Sequence, residues 1–122
     1  MSNTRYVYLK YENSELLYSN AESGPFEKVE EETTVSDVWQ KDTVTFQALP
    51  DSGIKKLLKI KGGRNGSKKL MKRRRRKNKM TITTSIRKSC CAGEIDKFDI
   101  KFRSESGEKI IIDPRLQADQ PS

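Results

Sequence analysis

The sequence predicts an all-β protein, an antiparallel β-sandwich of about seven short strands. Two observations carry that expectation. Apolar residues recur with a period of two through most of the chain, and Gly, Pro, Asn and Ser clusters break these runs at short intervals. Size supplies a third: 122 residues fit a single domain, here residues 1–116, with one core drawn from the 33% of residues that are hydrophobic.

Arg5 to Tyr11 alternates Val7 and Leu9 against Tyr6 and Tyr8, and its aromatic and β-branched content suits a pleated strand. Glu15 to Ser19 is a second run, and the turn-prone Asn13 and Ser14 make the two a hairpin. Gly24-Pro25 marks a turn. The acids from Glu27 to Glu32 could start a helix, yet Thr33, Thr34 and Val35 favour extended chain, so a loop leading into a strand is expected. Asp42 to Leu49 places Val44 and Phe46 on one face and Thr43 and Thr45 on the other. In Pro50-Asp51-Ser52-Gly53 the proline presets φ and the glycine accepts positive φ, which makes a turn. Ile54 to Lys61 fits a helical or a strand period and is read as a strand because its neighbours are strands. Met80 to Ser89 alternates again. Phe98, Ile100 and Phe102 point inward against Lys97, Asp99, Lys101 and Arg103. A Ser-Gly turn then leads into Lys109 to Ile112, a last strand that Pro114 ends, and residues 117–122 are expected to be a disordered tail.

Charge is distributed unevenly. Residues 1–54 hold four Lys/Arg and ten Asp/Glu, residues 55–79 hold fourteen and none, and residues 80–122 hold seven of each. The densest part contains nine cations in twelve residues: Lys68, Lys69, Lys72, Arg73, Arg74, Arg75, Arg76, Lys77 and Lys79. Residues 61–79 show no clear apolar period and open with glycines, which predicts a long flexible basic loop projecting from the sandwich. Contiguous cations stay within the screening length of about 8 Å whatever the backbone does, and such a cluster attracts polyanions. The first candidate partner is therefore DNA or RNA, bound through phosphates without base preference, since no recognition helix holds a side-chain set that could read base edges. Six neutralised phosphates would make duplex binding fall about a thousandfold between 50 and 200 mM salt. The plain alternative is a solvated loop without function. An acidic protein partner, an anionic membrane surface and a nuclear-import signal stand behind these, and the acids from Glu27 to Glu32 offer an internal partner that would mask the arm.

Other chemistries are restricted by what the chain lacks. With no histidine, Ser-His-Asp and Cys-His nucleophile arrangements and imidazole-ligated metal sites are excluded. Adjacent Cys90 and Cys91 would need a strained ring to form a disulfide, so they are read as reduced thiols, one packed and one partly exposed, too few for a structural zinc. Gly62, Gly63 and Gly66 stand near Ser67 and Lys68 in the wrong order for a phosphate-cradling loop. Seventeen acids form no spacing that singles out a glycosidase-like pair. Trp39 and the four tyrosines are assigned to core packing, because they lie in strand-like runs away from the basic residues. The expectation is a non-catalytic binding protein with no catalytic residues, metal or cofactor, and the alternative is a protein-interaction or structural β-sandwich module that uses an exposed sheet face or edge, the basic arm serving only solubility. The first seventeen residues lack the apolar run of about 7 to 15 residues of a signal peptide, and no segment approaches the roughly 20 apolar residues of a membrane span, so the setting is read as cytoplasmic.

The segment from Cys91 to Gln117 resembles the C-terminal hairpin of the bacterial DP-EP family of small uncharacterised proteins, with an aromatic-rich strand, a Gly-containing turn and an apolar strand closing on Asp113-Pro114. The segment from Trp39 to Leu49 is similar to that family's charged-turn-then-strand stretch. The resemblance implies an immunoglobulin-like β-sandwich. No Glu-Pro element corresponds to the family's, and the basic block has no counterpart in its pattern.

Overall fold

The computed structural model describes residues 3–121. Its strands are β1 (Thr4–Glu12), β2 (Glu15–Ser19), β3 (Glu27–Lys28), β4 (Thr34–Val38), β5 (Thr43–Ala48), β6 (Ile54–Lys61), β7 (Met71–Asn78), β8 (Thr81–Ile86), β9 (Ile95–Lys97), β10 (Asp99–Ser104), β11 (Lys109–Ile112) and β12 (Arg115–Ala118). A 3-10 turn at Arg64–Gly66 is the one helical element among the described residues, and none of them lies in a helix long and apolar enough to cross a membrane.

Three sheets form: β3-β2-β1-β5-β8-β7, β11-β10-β6 and β4-β12-β9. Two pairings are parallel, β1 with β5 and β12 with β4, so two of the three sheets are mixed and the expected antiparallel arrangement is corrected. The reason lies in the connections. Parallel neighbours need a long crossover, and β1 reaches β5 only after β2, β3 and β4 have passed. A period of two reports which face is buried and carries no information on strand direction.

The strands expected around Val7, Leu16, Val44, Leu57, Ile82, Ile100 and Ile110 coincide with β1, β2, β5, β6, β8, β10 and β11. Their inward residues, with Phe98 and Leu116, make one buried cluster in which the Phe46 and Phe98 rings lie 5.5 Å apart. Complete burial of each such side chain contributes about 1.5–3 kcal/mol. Phe98 is also a corner. It separates β9 from β10, so the run read as one strand serves two sheets, and its amide donates to the Pro114 carbonyl at 3.1 Å. At the end of the chain, β12 extends to Ala118, which is fully buried, so Gln117 and Ala118 belong to a strand and not to the expected tail. Parallel backbone pairing with β4 holds them there.

The largest correction concerns residues 61–79. Met71 to Asn78 is a strand, antiparallel to β8 and at the edge of the six-stranded sheet, in place of a flexible loop. The ladder offered by β8 supplies the backbone partners that the cationic sequence could not advertise.

Candidate nucleic-acid interface

The entry into β7 is organised by a buried acid. Asp96 of β9 is 0% exposed, and its carboxylate accepts backbone hydrogen bonds from Gly63 (2.6 Å), Leu70 (2.9 Å) and Met71 (3.2 Å). Burial pushes its pKa up, while the three amides and the Lys69 charge pull the other way. Gly62 lies against this carboxylate, since a Cβ there would stand 2.7 Å from Asp96 Oδ2. Leu70 and Met71 follow into the core, at 0% and 2% exposure. Ion pairs Arg64–Asp99 (3.2 Å) and Lys68–Glu94 (3.5 Å) hold the connection from outside.

Alternation along β7 then divides four consecutive arginines into two sets. Arg74 and Arg76 sit opposite the buried Thr84 and Ile82 and turn toward β6, the edge of the neighbouring sheet. Arg74 donates to the Ile60 carbonyl, and Arg76 donates to the Leu58 carbonyl at 2.8 Å. Their guanidinium groups thereby reach the β6 backbone across the seam between two sheet edges. Arg73 and Arg75 take the outer face, and Lys77, at an irregularity before Asn78, lines the same surface. All three are exposed. Among the described residues, no carboxylate forms an ion pair with any cation from Lys69 to Lys79.

The register shows what these cations overlook. Arg73 faces Ser85, Ser85 faces Thr43 and Thr43 faces Thr4, while Arg75 leads through Thr83 and Thr45 to Tyr6. The floor of this trough, about 440 Å³ in volume, is a hydroxyl mat. Thr45 and Thr83 hydroxyls lie 3.2 Å apart, and Thr43 donates to Thr4 at 3.3 Å. On the far bank Tyr6, 42% exposed, stacks on Tyr8 with centroids 5.7 Å apart and planes 9° from parallel. Three strand spacings of about 4.8 Å separate Tyr6 from Arg75, so the trough is roughly 14 Å across.

No protein-family model and no curated protein matches the chain. The reading of the site therefore stands on its geometry.

Of the nine cations in the block, the trough brings together Arg73, Arg75 and Lys77. Arg74 and Arg76 go to the seam and Lys68 to Glu94, while Lys69 lies in the connection, Lys72 beside an irregularity next to Met71, and Lys79 in the turn before β8. Of the aromatics assigned to core packing, Tyr6 and Tyr8 lie instead on the opposite face of β1, where they stack on each other and Tyr6 lines the basic trough; their alternation with Val7 and Leu9 is the available signal. The acids from Glu27 to Glu32 do not mask the block. β3 is at the opposite edge of the sheet from β7, Glu30 pairs with Lys28 (3.8 Å) and Glu32 with Arg115 (3.1 Å).

Two other titratable places are distinct from this face. Cys90 is buried and Cys91 exposed, both as free thiols. Burial, and after it the Glu94 charge, push the Cys90 thiol up, the wrong direction for a nucleophile. Asp113 is pushed up to about 6, chiefly by a hydrogen bond with Asp99, then by burial and by the Asp99 charge. Asp99 Oδ1 is buried with no hydrogen-bond partner among the described residues, and a proton held on Asp113 would offer it a donor. Because the folded pKa lies above the ordinary carboxylate value of about 3.9, this contribution to stability is complete below pH ~4 and is lost as pH rises through 6. Urea midpoints for wild type minus Asp113→Asn should accordingly decline between pH 4 and 7. A difference independent of pH would show that the two acids do not share a proton.

Proposed function

We propose that the protein is a non-catalytic binder of nucleic acid, making sequence-independent phosphate contacts through Arg73, Arg75 and Lys77. The observation that carries this reading is the placement of three exposed cations on one sheet face with no ion-pair partner among the described residues. Alternate residues of a strand repeat every ~6.7 Å, inside the screening length of about 8 Å, so Arg73 and Arg75 repel each other in the free protein. A polyanion laid along β7 relieves that repulsion and releases its own counterions.

A second reading has its own support: β7 is an edge strand, and cations on an edge discourage pairing with another copy. Charge reversal separates the two. Arg73→Glu/Arg75→Glu/Lys77→Glu keeps the edge charged and soluble while removing phosphate contacts. For three contacts on duplex DNA, wild-type affinity should fall about 40-fold between 50 and 200 mM salt, and the reversed variant should bind at least about tenfold more weakly at the lower salt. Equal affinity of the two proteins, both monomeric by size-exclusion chromatography, would remove the nucleic-acid reading and leave edge protection.

Kinship with the DP-EP family, and with it an immunoglobulin-like packing, belongs to the same proposal. It is supported by the antiparallel β10–β11 hairpin, which closes on Asp113-Pro114. A cytoplasmic setting fits the two free thiols.

A further inference from the structure

We infer that the ligand of this face is a single strand, with phosphates on β7 and a base stacked on Tyr6; the inference rests on the phosphate-binding reading above. Two features of the trough point there. The first is the bank opposite the cations. Tyr6 offers an exposed ring already backed by Tyr8 in a parallel stack, which presents a π-face to a base and is preorganised by its neighbour. Duplex bases are paired and stacked on one another, and Tyr6 cannot reach their faces.

The second feature is the floor. Thr45 and Thr83 satisfy each other at 3.2 Å, and no acid lines the trough among the described residues. The surface between the cations and the ring is therefore uncharged, and a sugar and base can cross its ~14 Å width without meeting a carboxylate. Nothing on it reads a base edge in a fixed register, so stacking gives affinity for any base and little sequence preference.

Fluorescence anisotropy with labelled oligo(dT), oligo(rU) and a mixed-sequence duplex of equal length tests the inference, using wild type, Tyr6→Ala, Tyr6→Phe and the charge-reversed triple variant. Wild type should bind the single strands, of either sugar, more tightly than the duplex. Tyr6→Ala should weaken single-strand binding by roughly 5- to 140-fold and leave duplex binding unchanged, while Tyr6→Phe, which keeps the ring, should behave as wild type. The triple variant should lose both ligands. If Tyr6→Ala binds single strands as wild type does while the triple variant fails, the stacking site is overturned and the phosphate reading survives. If the triple variant binds both ligands normally, both readings fall. Tyr6 is 42% exposed, so its replacement leaves the core intact, and circular dichroism checks that the variants remain folded.

Discussion

Asp96→Ala should lower stability by at least about 3 kcal/mol, visible as a large fall in the urea midpoint. The wild-type carboxylate is fully buried and is the acceptor for three backbone amides, those of Gly63, Leu70 and Met71. Alanine leaves all three without that acceptor, at ~1–3 kcal/mol each, and the space vacated is too enclosed for water to replace it freely. Domains of this kind have only about 5–15 kcal/mol in total, so much of the margin disappears. The damage should also be local. Hydrogen exchange should accelerate first at Gly63, Leu70 and Met71 and then along β7, because that strand starts where the carboxylate holds it. Asp96→Asn should fall between wild type and alanine, since one amide oxygen remains as acceptor while the new NH2 opposes at least one backbone donor. A loss below ~1 kcal/mol for alanine would mean that the amides find other partners and that the acid does not organise the connection.

Gly53→Ala should be comparably severe, through sterics alone. Gly53 has φ +80°, and a Cβ placed on it would stand 2.0 Å from the Tyr11 carbonyl oxygen, a backbone atom that no rotamer change can move. Escape requires the end of β1 to part from the Pro50–Gly53 turn. That breaks the Tyr11 N–H to Ser52 carbonyl bond (2.6 Å), strains the Glu105 N–H to Gly53 carbonyl bond (2.9 Å) and disturbs the Tyr11 ring against Phe102, 5.2 Å away. Gly107→Ala is the control, because Gly107 also has positive φ, +94°, but open space where its Cβ would go. The control should cost the conformational term of ~1–2 kcal/mol, and Gly53→Ala that term plus the clash, above ~3 kcal/mol. At about 4 °C per kcal/mol for a chain of this size, thermal melts should separate the two by several degrees. Equal melting temperatures would show that the turn yields without resistance.

The buried faces were legible in the sequence because burial imprints a period. Val44 and Phe46 against Thr43 and Thr45, or Ile100 and Phe102 against Lys101 and Arg103, state which side faces the core. Strand direction leaves no such mark, which is why the parallel β1–β5 pairing could not be read. β7 escaped for a different reason: from Lys72 to Lys79 no side chain is apolar, so neither period has anything to act on, and the strand exists because β8 provides its ladder. β12 has only Leu116 and Ala118 as inward groups, too short a pattern to distinguish from a tail. At the candidate site the cations were visible individually, but their division between trough and seam depends on a register set by Met71 and by the irregularities at either end of β7. The aromatic character of Tyr6 reads as core even though the period sets it opposite Val7, and only the order β1-β5-β8-β7 brings it to the same face as Arg75.

The uniformity of Arg73 to Arg76 gives β7 an unusual tolerance. In most strands a slip of one position exchanges buried and exposed chemistry and ruins both. Here a frame-shifted β7 would present guanidinium groups to the solvent and guanidinium groups to the β6 carbonyls just as before, so the motif is self-similar under translation. Positional information must then come from its non-repeating ends, where buried Met71 acts as the index mark that tells the identical arginines which of them faces outward.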